Sequence, residues 1–319
     1  MAEELQPNFE QIAKDCLINR TDDAQSIISK IGCVLERQSD ENRILTVNYL
    51  FSISNDYRVL NYLLKKMNEY KSPLSVPVLV DTLLLKGKHR AKILDFDIIN
   101  QIKVNAVKIL ANIKDSSAVN SLIYCLNDKN ENYKVRLSCA EALGKIGDKY
   151  AVMPLVDVLE DETEHSVYIK ESVAFALGLL GDVQAVESLV RILETKKKLE
   201  SKFSFLKEKV IEALNKLNPN NDRVFNALKN SLNDDSEQVR IKAIEALSEI
   251  GDDNAEILIY NALNDKSDEV VKNALIALYN IKDKDYIKNI IESTTSARLA
   301  ASAKEIMLEI ERAEEEDDG

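Results

Sequence analysis

The side chains of this sequence that could carry chemistry are few and far apart. Four cysteines, Cys16, Cys33, Cys125 and Cys139, and two histidines, His89 and His165, are its thiols and imidazoles across 319 residues. No two of them stand at the spacing of a zinc site or a redox pair, so buried thiols of a reducing compartment are the expected role. A second set is a line of cations, Lys103, Arg136, Lys170, Lys207 and Arg240, separated by 33, 34, 37 and 33 residues. Evenly spaced charge of this kind could bind phosphates. Each cation, however, follows a linker acid such as Asp128, Asp161 or Asp234, which predicts a ladder of Asp to Arg or Lys contacts between successive units.

The elements that hold these residues are copies of one another. The segments 135–148, 169–182 and 239–252 superpose without a gap, as in Val135-Arg136-Leu137-Ser138-Cys139-Ala140-Glu141-Ala142-Leu143-Gly144-Lys145-Ile146-Gly147-Asp148. Measured from the cation, apolar residues fall at −1, +3, +7 and +10, the spacing of one helical face. Weaker copies are anchored at Arg43, Lys103 and Lys207, and one near Val271 keeps Leu278 and Ile281 without the cation. Upstream of most anchors lies a second apolar-periodic stretch, such as 118–126, 151–159, 185–193 and 255–263. The linkers end in Leu126-Asn127-Asp128, Leu159-Glu160-Asp161, Leu232-Asn233-Asp234 and Leu263-Asn264-Asp265, where an Asp can cap a helix or form an Asx turn. Gly147, Gly181 and Gly251 fit the left-handed stop after the second helix.

A helix pair of about 33 residues cannot bury both its faces alone, so neighbours must stack. The fold expected is all-α, a right-handed superhelix of about seven or eight helix pairs. It should form a single solenoid over 1–312, strongest from 117 to 283 and degenerate at both ends, followed by an acidic, disordered tail over 313–319. A net charge of −12 argues against nucleic acid as a partner. The N-terminus lacks a secretory signal, and the longest nearly unbroken apolar run, 173–181, is half of what crosses a bilayer, so a cytoplasmic protein without a membrane partner is expected.

The A-V-x-x-L…L-x-D…V-R-x-x-A-x-x-A-L-G-x-I-G-D pattern resembles HEAT repeats, in particular the HEAT-like repeats associated with phycobilisome lyases. Neither the early bulky aromatic of tetratricopeptide repeats nor the T-P-L-H of ankyrin repeats is present. Deoxyhypusine hydroxylase resembles the same pattern but holds two irons through repeated His-Glu pairs; here Glu164-His165 has no counterpart in another repeat. The resemblance implies either a non-enzymatic protein-binding scaffold or a phycobilin lyase-like or chaperone role, in which a tetrapyrrole or client protein is held for attachment or assembly. Cys139 stands at the +3 core offset, where small buried filler is expected rather than a nucleophile. No catalytic residue, metal or cofactor is assigned.

In such a stack the second helices line the concave surface, and offsets +1, +5 and +8 should point into it. Several residues there are apolar, which suggests a groove for a protein or peptide formed by Leu137, Glu141, Phe175, Gly178, Ile276 and Tyr279. Phe175 takes an offset held elsewhere by Glu141, Glu212 and Glu245, and Gly178 should leave bare backbone beside it. Two long connections carry Lys88, Arg90 and Lys92, and Lys196, Lys197 and Lys198, a basic edge that could attract an acidic partner.

Overall fold

The computed structural model describes residues 8–17, 23–84, 95–195, 201–217 and 221–317. Among them are eighteen α-helices and no strand. They are α1 (Phe9–Leu17), α2 (Ala24–Glu36), α3 (Asp40–Ile53), α4 (Tyr57–Tyr70), α5 (Val76–Leu83), α6 (Phe96–Ile113), α7 (Val119–Asn127), α8 (Tyr133–Ile146) and α9 (Val152–Glu160). There follow α10 (Val167–Leu180), α11 (Val186–Glu194), α12 (Ser201–Leu217), α13 (Asp222–Ser231), α14 (Glu237–Ile250), α15 (Asp253–Ala262), α16 (Asp268–Ile281), α17 (Lys284–Ser293) and α18 (Ala297–Asp317). The helices group into two compact units, Met1–Val158 and Leu159–Gly319.

Each unit is a two-layer stack. In the first, α2, α4, α6 and α8 pack in succession while α1, α3, α5 and α7 form the other layer. In the second, α10, α12, α14, α16 and α18 pack in succession against partners α11, α13, α15 and α17. The anchor periodicity explains the core. Offsets −1 and +3 (Val135, Cys139, Ile169, Val173, Val239, Ala243) and the +7 leucines Leu110, Leu143, Leu177, Leu247 and Leu278 are fully enclosed. The +10 offset is looser, and Ile250 is 39% exposed.

Turn chemistry punctuates the stack. The linker aspartates form Asx turns rather than caps: Asp128 accepts from the Asn130 N–H, Asp161 from Thr163, Asp234 from Ser236 and Asp265 from Ser267, at 2.8–3.0 Å. The following helices are capped by Asn132, Ser166 and Ser267 instead. Gly147, Gly181 and Gly251 take positive φ at the helix ends, as expected. Lys71 and Lys114 occupy the same place after α4 and α6 with φ of 48° and 60°.

Two expectations are corrected. Arg43 lies on α3, a first-layer helix; it donates to the Leu35 carbonyl at 2.7 Å, and Phe51 beyond it is fully buried. The misreading arose because first and second helices share one periodicity, so the repeat pattern extended backwards came into phase with the wrong layer. Counting back from the left-handed Lys71 puts the equivalent of the cation at Leu60, which is 0% exposed. At the other end α18 runs on to Asp317, so the acidic stretch expected to be disordered is helical over 313–317. Glutamate is a good helix former, and extending a helix already nucleated on the buried Ala303, Ile306 and Met307 costs little.

Candidate functional site

The anchor cations are structural, as their spacing implied. Lys103 pairs with Glu131 and Lys207 with Asp234, each at 2.5 Å. Arg240 grips Asp265 through Nε and Nη2 at 2.8 and 2.9 Å, and its Nη1 donates to the Asp234 and Asp235 carbonyls. Arg136 donates to the Leu126 carbonyl, and Lys170 to those of Leu159 and Asp161. The acid thus comes from the linker of the following repeat, and for Lys103 it is Glu131 rather than an aspartate. Burial alone would push the Asp265 carboxyl up; the Arg240 hydrogen bonds and the Ser267 N–H outweigh it and hold it below its ordinary value. Held within the stack and already paired there, these cations are poorly placed to take a phosphate.

What remains open is the face of the second-helix layer. In the first unit Leu137 and Glu141 are part-exposed on α8, while Gly144 at +8 is buried. In the second unit Phe175 is part-exposed on α10, Ile276 is 40% exposed on α16 and Tyr279 is part-exposed beside it. Ile241, at the same +1 offset as Leu137, is buried. Gly178 is a correction: it is buried, and a Cβ there would lie 2.9 Å from the Ala213 Cα. The bare backbone is used to bring α12 up against α10, not to admit a partner's side chain. Lys216 places its Nζ 4.8 Å from the Phe175 ring centroid, so a cation already covers part of that ring. The basic edge, Lys88, Arg90 and Lys92 with Lys196, Lys197 and Lys198, lies outside the described residues.

Two aromatic residues stand on this face outside the +1, +5 and +8 offsets. Tyr168 and Phe205 stand at offset −2 on α10 and α12, 52% and 59% exposed. Continuing the +1, +5 stripe three residues upstream would have found them. Each helix therefore presents a stripe at i, i+3 and i+7: Tyr168, Glu171 and Phe175 on α10, and Phe205, Glu208 and Glu212 on α12. Glu212 pairs with Lys209 at 2.7 Å, and Lys242 with Glu245 at 2.7 Å. Glu171 and Glu208 make no hydrogen bond or ion pair among the described residues. Burial pushes both carboxyls up; Lys209 and Lys242 oppose this, while Glu208 adds to the rise at Glu171 and Glu212 to that at Glu208.

HEAT repeats match residues 95–169 and 225–305, and the PBS lyase HEAT-like repeat matches 169–195. The chain is a HEAT-repeat protein. Among curated proteins, no relative matches it by sequence. Of solved structures, a Kap121p mutant superposes with a TM-score of 0.55 at 11% identity, over 95% of this chain and 38% of Kap121p. The CpcE–CpcF phycocyanin lyase complex from Nostoc sp. PCC7120 gives 0.44 at 20% identity, over 74% and 94%. Human deoxyhypusine hydroxylase gives 0.35 at 16%, over 86% and 96%.

Cys139 is fully buried on α8; burial, then a hydrogen bond with Cys125, pushes its thiol well above the ordinary value, the reverse of an activated nucleophile. His165 is exposed at a cleft of about 830 Å³ that also includes Glu160, Lys170, Ser188, Arg191 and Phe203. Glu160 in that cleft accepts from Ser188 at 2.6 Å and from Arg191 at 3.1 Å. No group of three or more metal-ligating side chains occurs among the described residues, and no described helix is long and apolar enough to cross a membrane.

Proposed function

We propose that this HEAT-repeat chain is a protein-binding scaffold or adaptor that works through the exposed face of its second helices. The observation that carries the reading is the α10–α12 stripe, where Tyr168, Phe175 and Phe205 stand in solvent-accessible positions on a layer whose interior is already filled. Solenoids present such faces to extended partners. Exposed aromatics between polar residues are typical anchors of an interface. Leu137 and Glu141 in the first unit, and Ile276 and Tyr279 further along the second, extend the same class of surface. The basic segments 88–92 and 196–198 belong to the proposal as a steering edge for an acidic region of the partner.

Affinity capture from the native source with mass spectrometry, followed by the Phe175→Glu variant, tests the reading. A glutamate at 175 can pair with Lys216, so the fold should persist, while captured-partner binding should weaken by about 1–3 kcal/mol. Parallel loss of melting temperature and binding would make Phe175 a packing residue and sink the proposal. The alternative, a bilin lyase-like or chaperone role, predicts that coexpression with a bilin yields coloured protein.

A further inference from the structure

We infer that the α10–α12 face receives a cationic segment of its partner, with a Lys or Arg side chain seated at Glu171 and Glu208 and flanked by Tyr168 and Phe205. This rests on the protein-binding reading of the same face and specifies the chemistry of the partner.

The cations nearest this face are already engaged. Lys209 is engaged by Glu212, Lys242 by Glu245 with Glu212 at 3.9 Å, and Lys216 lies over Phe175. Glu171 and Glu208 are left as neighbouring carboxylates, partly shielded from water and without a partner among the described residues. An acidic patch alone would describe any solvated surface. Here the aromatics decide. Tyr168 and Phe205 lie one turn N-terminal to the two glutamates on the same stripes and expose more than half their surface. A ring face beside a carboxylate pair accommodates both parts of a basic side chain, its apolar stem and its charged head. An acidic partner would add repulsion to two carboxylates already in conflict, and a purely apolar one would bury them unpaired. A second copy of this chain brings a further net charge of −12, which opposes association at low salt.

Proton linkage follows from the same geometry. The charged groups acting on Glu171 are Lys209 and Glu208 of α12, and those acting on Glu208 are Lys209 and Glu212 of its own helix and Lys242 of α14. In the free protein both glutamates bind protons above the ordinary 4.5. An incoming cation pulls those values down, so binding should weaken as pH falls through the raised range and should release protons there.

The test uses the full chain and a pair of labelled amphipathic peptides, one built of Lys, Arg and Leu and its twin with Glu in place of every basic residue. Fluorescence anisotropy should show binding of the basic peptide and none of the twin. Glu171→Gln with Glu208→Gln should weaken the basic peptide about tenfold or more and flatten its salt dependence. Glu292→Gln, on the exposed surface of α17, should leave binding unchanged. Tyr168→Ser with Phe205→Ser should weaken binding with the salt slope retained. Melting temperatures show that the variants fold; the glutamine pair should melt at or above the parent. Equal binding of both peptides, an unaffected glutamine pair, or an equal loss in Glu292→Gln would each overturn the inference. Should neither peptide bind while a captured partner is still lost on Phe175→Glu, the scaffold reading stands and this one falls. Capture of no partner at all removes both.

Discussion

Arg240 on α14 and Glu208 on α12 lie on neighbouring helices of the second unit, yet the protein treats their charges in opposite ways. Arg240 is 3% exposed, with two bonds to Asp265 and two to the Asp234 and Asp235 carbonyls. Asp265 in turn accepts the Ser267 N–H, so every charge at that joint is answered. Glu208, one helix away and on the accessible side of α12, has only the distant help of Lys242 and Lys209 and the repulsion of Glu212. The ladder is finished without a partner and the face is not. Completed polar networks hold repeats in register, whereas polar groups left in partial burial mark where the molecule can gain from an outside ligand.

The ladder is where the comparison should break most violently. Arg240→Leu leaves the part-buried Asp265 carboxylate without its cation, and since an uncompensated buried charge costs about 3–5 kcal/mol, the loss here should approach the lower end of that range. Adding Asp265→Asn removes that charge while keeping an acceptor for the Ser267 N–H, and should restore at least half of the loss. Chemical denaturation of the parent, the single and the double variant measures both steps. A single variant within about 1 kcal/mol of the parent would show that the joint is held by apolar packing alone.

A smaller effect is expected at the place that brings the open face together. Gly178→Ala puts a Cβ 2.9 Å from the Ala213 Cα and 3.1 Å from its Cβ, and backbone cannot swing aside as a side chain can. The strain of overpacking, about 1–3 kcal/mol, should outweigh the gain of about 1 kcal/mol in helix propensity. Gly32→Ala is the control. A Cβ there meets only the Tyr62 hydroxyl at 3.5 Å, so the propensity gain should appear undiminished. Thermal melts that move in the same direction for both glycines would remove the close approach of α10 and α12 from the account.

The sequence exposed the repeat because its signals are local. Helix pairs, the +7 leucines and the stops at Gly147, Gly181 and Gly251 each depend on residues within one turn or one repeat. The ladder was visible in outline, since the spacing of the cations demanded a common role, but not the choice of Glu131 for Lys103. Lys71 and Lys114 do the work of glycine at positive φ, and nothing in a lysine announces this. Arg43 misled because periodicity identifies a buried face without saying which layer it belongs to. The site suffered most from the +8 offset: Ala111, Gly144 and Gly178 are small and buried, and at Gly178 the backbone of Ala213 closes on the position, yet smallness reads equally well as an open groove. Tyr168 and Phe205 were legible in principle, one step up a stripe already drawn.

The smallest expected effect discriminates most finely between the two regions, because it is a difference in sign. Asp265 has a folded value below its ordinary 3.8, so its stabilisation is present above that pH and disappears as the pH falls through the lowered value. Glu208 has a folded value above its ordinary 4.5, so its favourable contribution is complete below 4.5 and is lost as the pH rises through the raised value. At neutral pH the Glu208 charge is therefore a cost, and Glu208→Gln should remove it. Because the side chain is part-exposed, solvent screening keeps the gain on the order of a few tenths of a kcal/mol. The melting temperature of Glu208→Gln should exceed the parent's at pH 7, and the gap should close as the pH approaches 4.5. Asp265→Asn should behave inversely, well below the parent at pH 7 and converging with it only in stronger acid. A Glu208→Gln advantage that stays constant down to pH 4.5 would mean that helix propensity or side-chain shape, and not an unanswered charge, sets that position apart from the ladder.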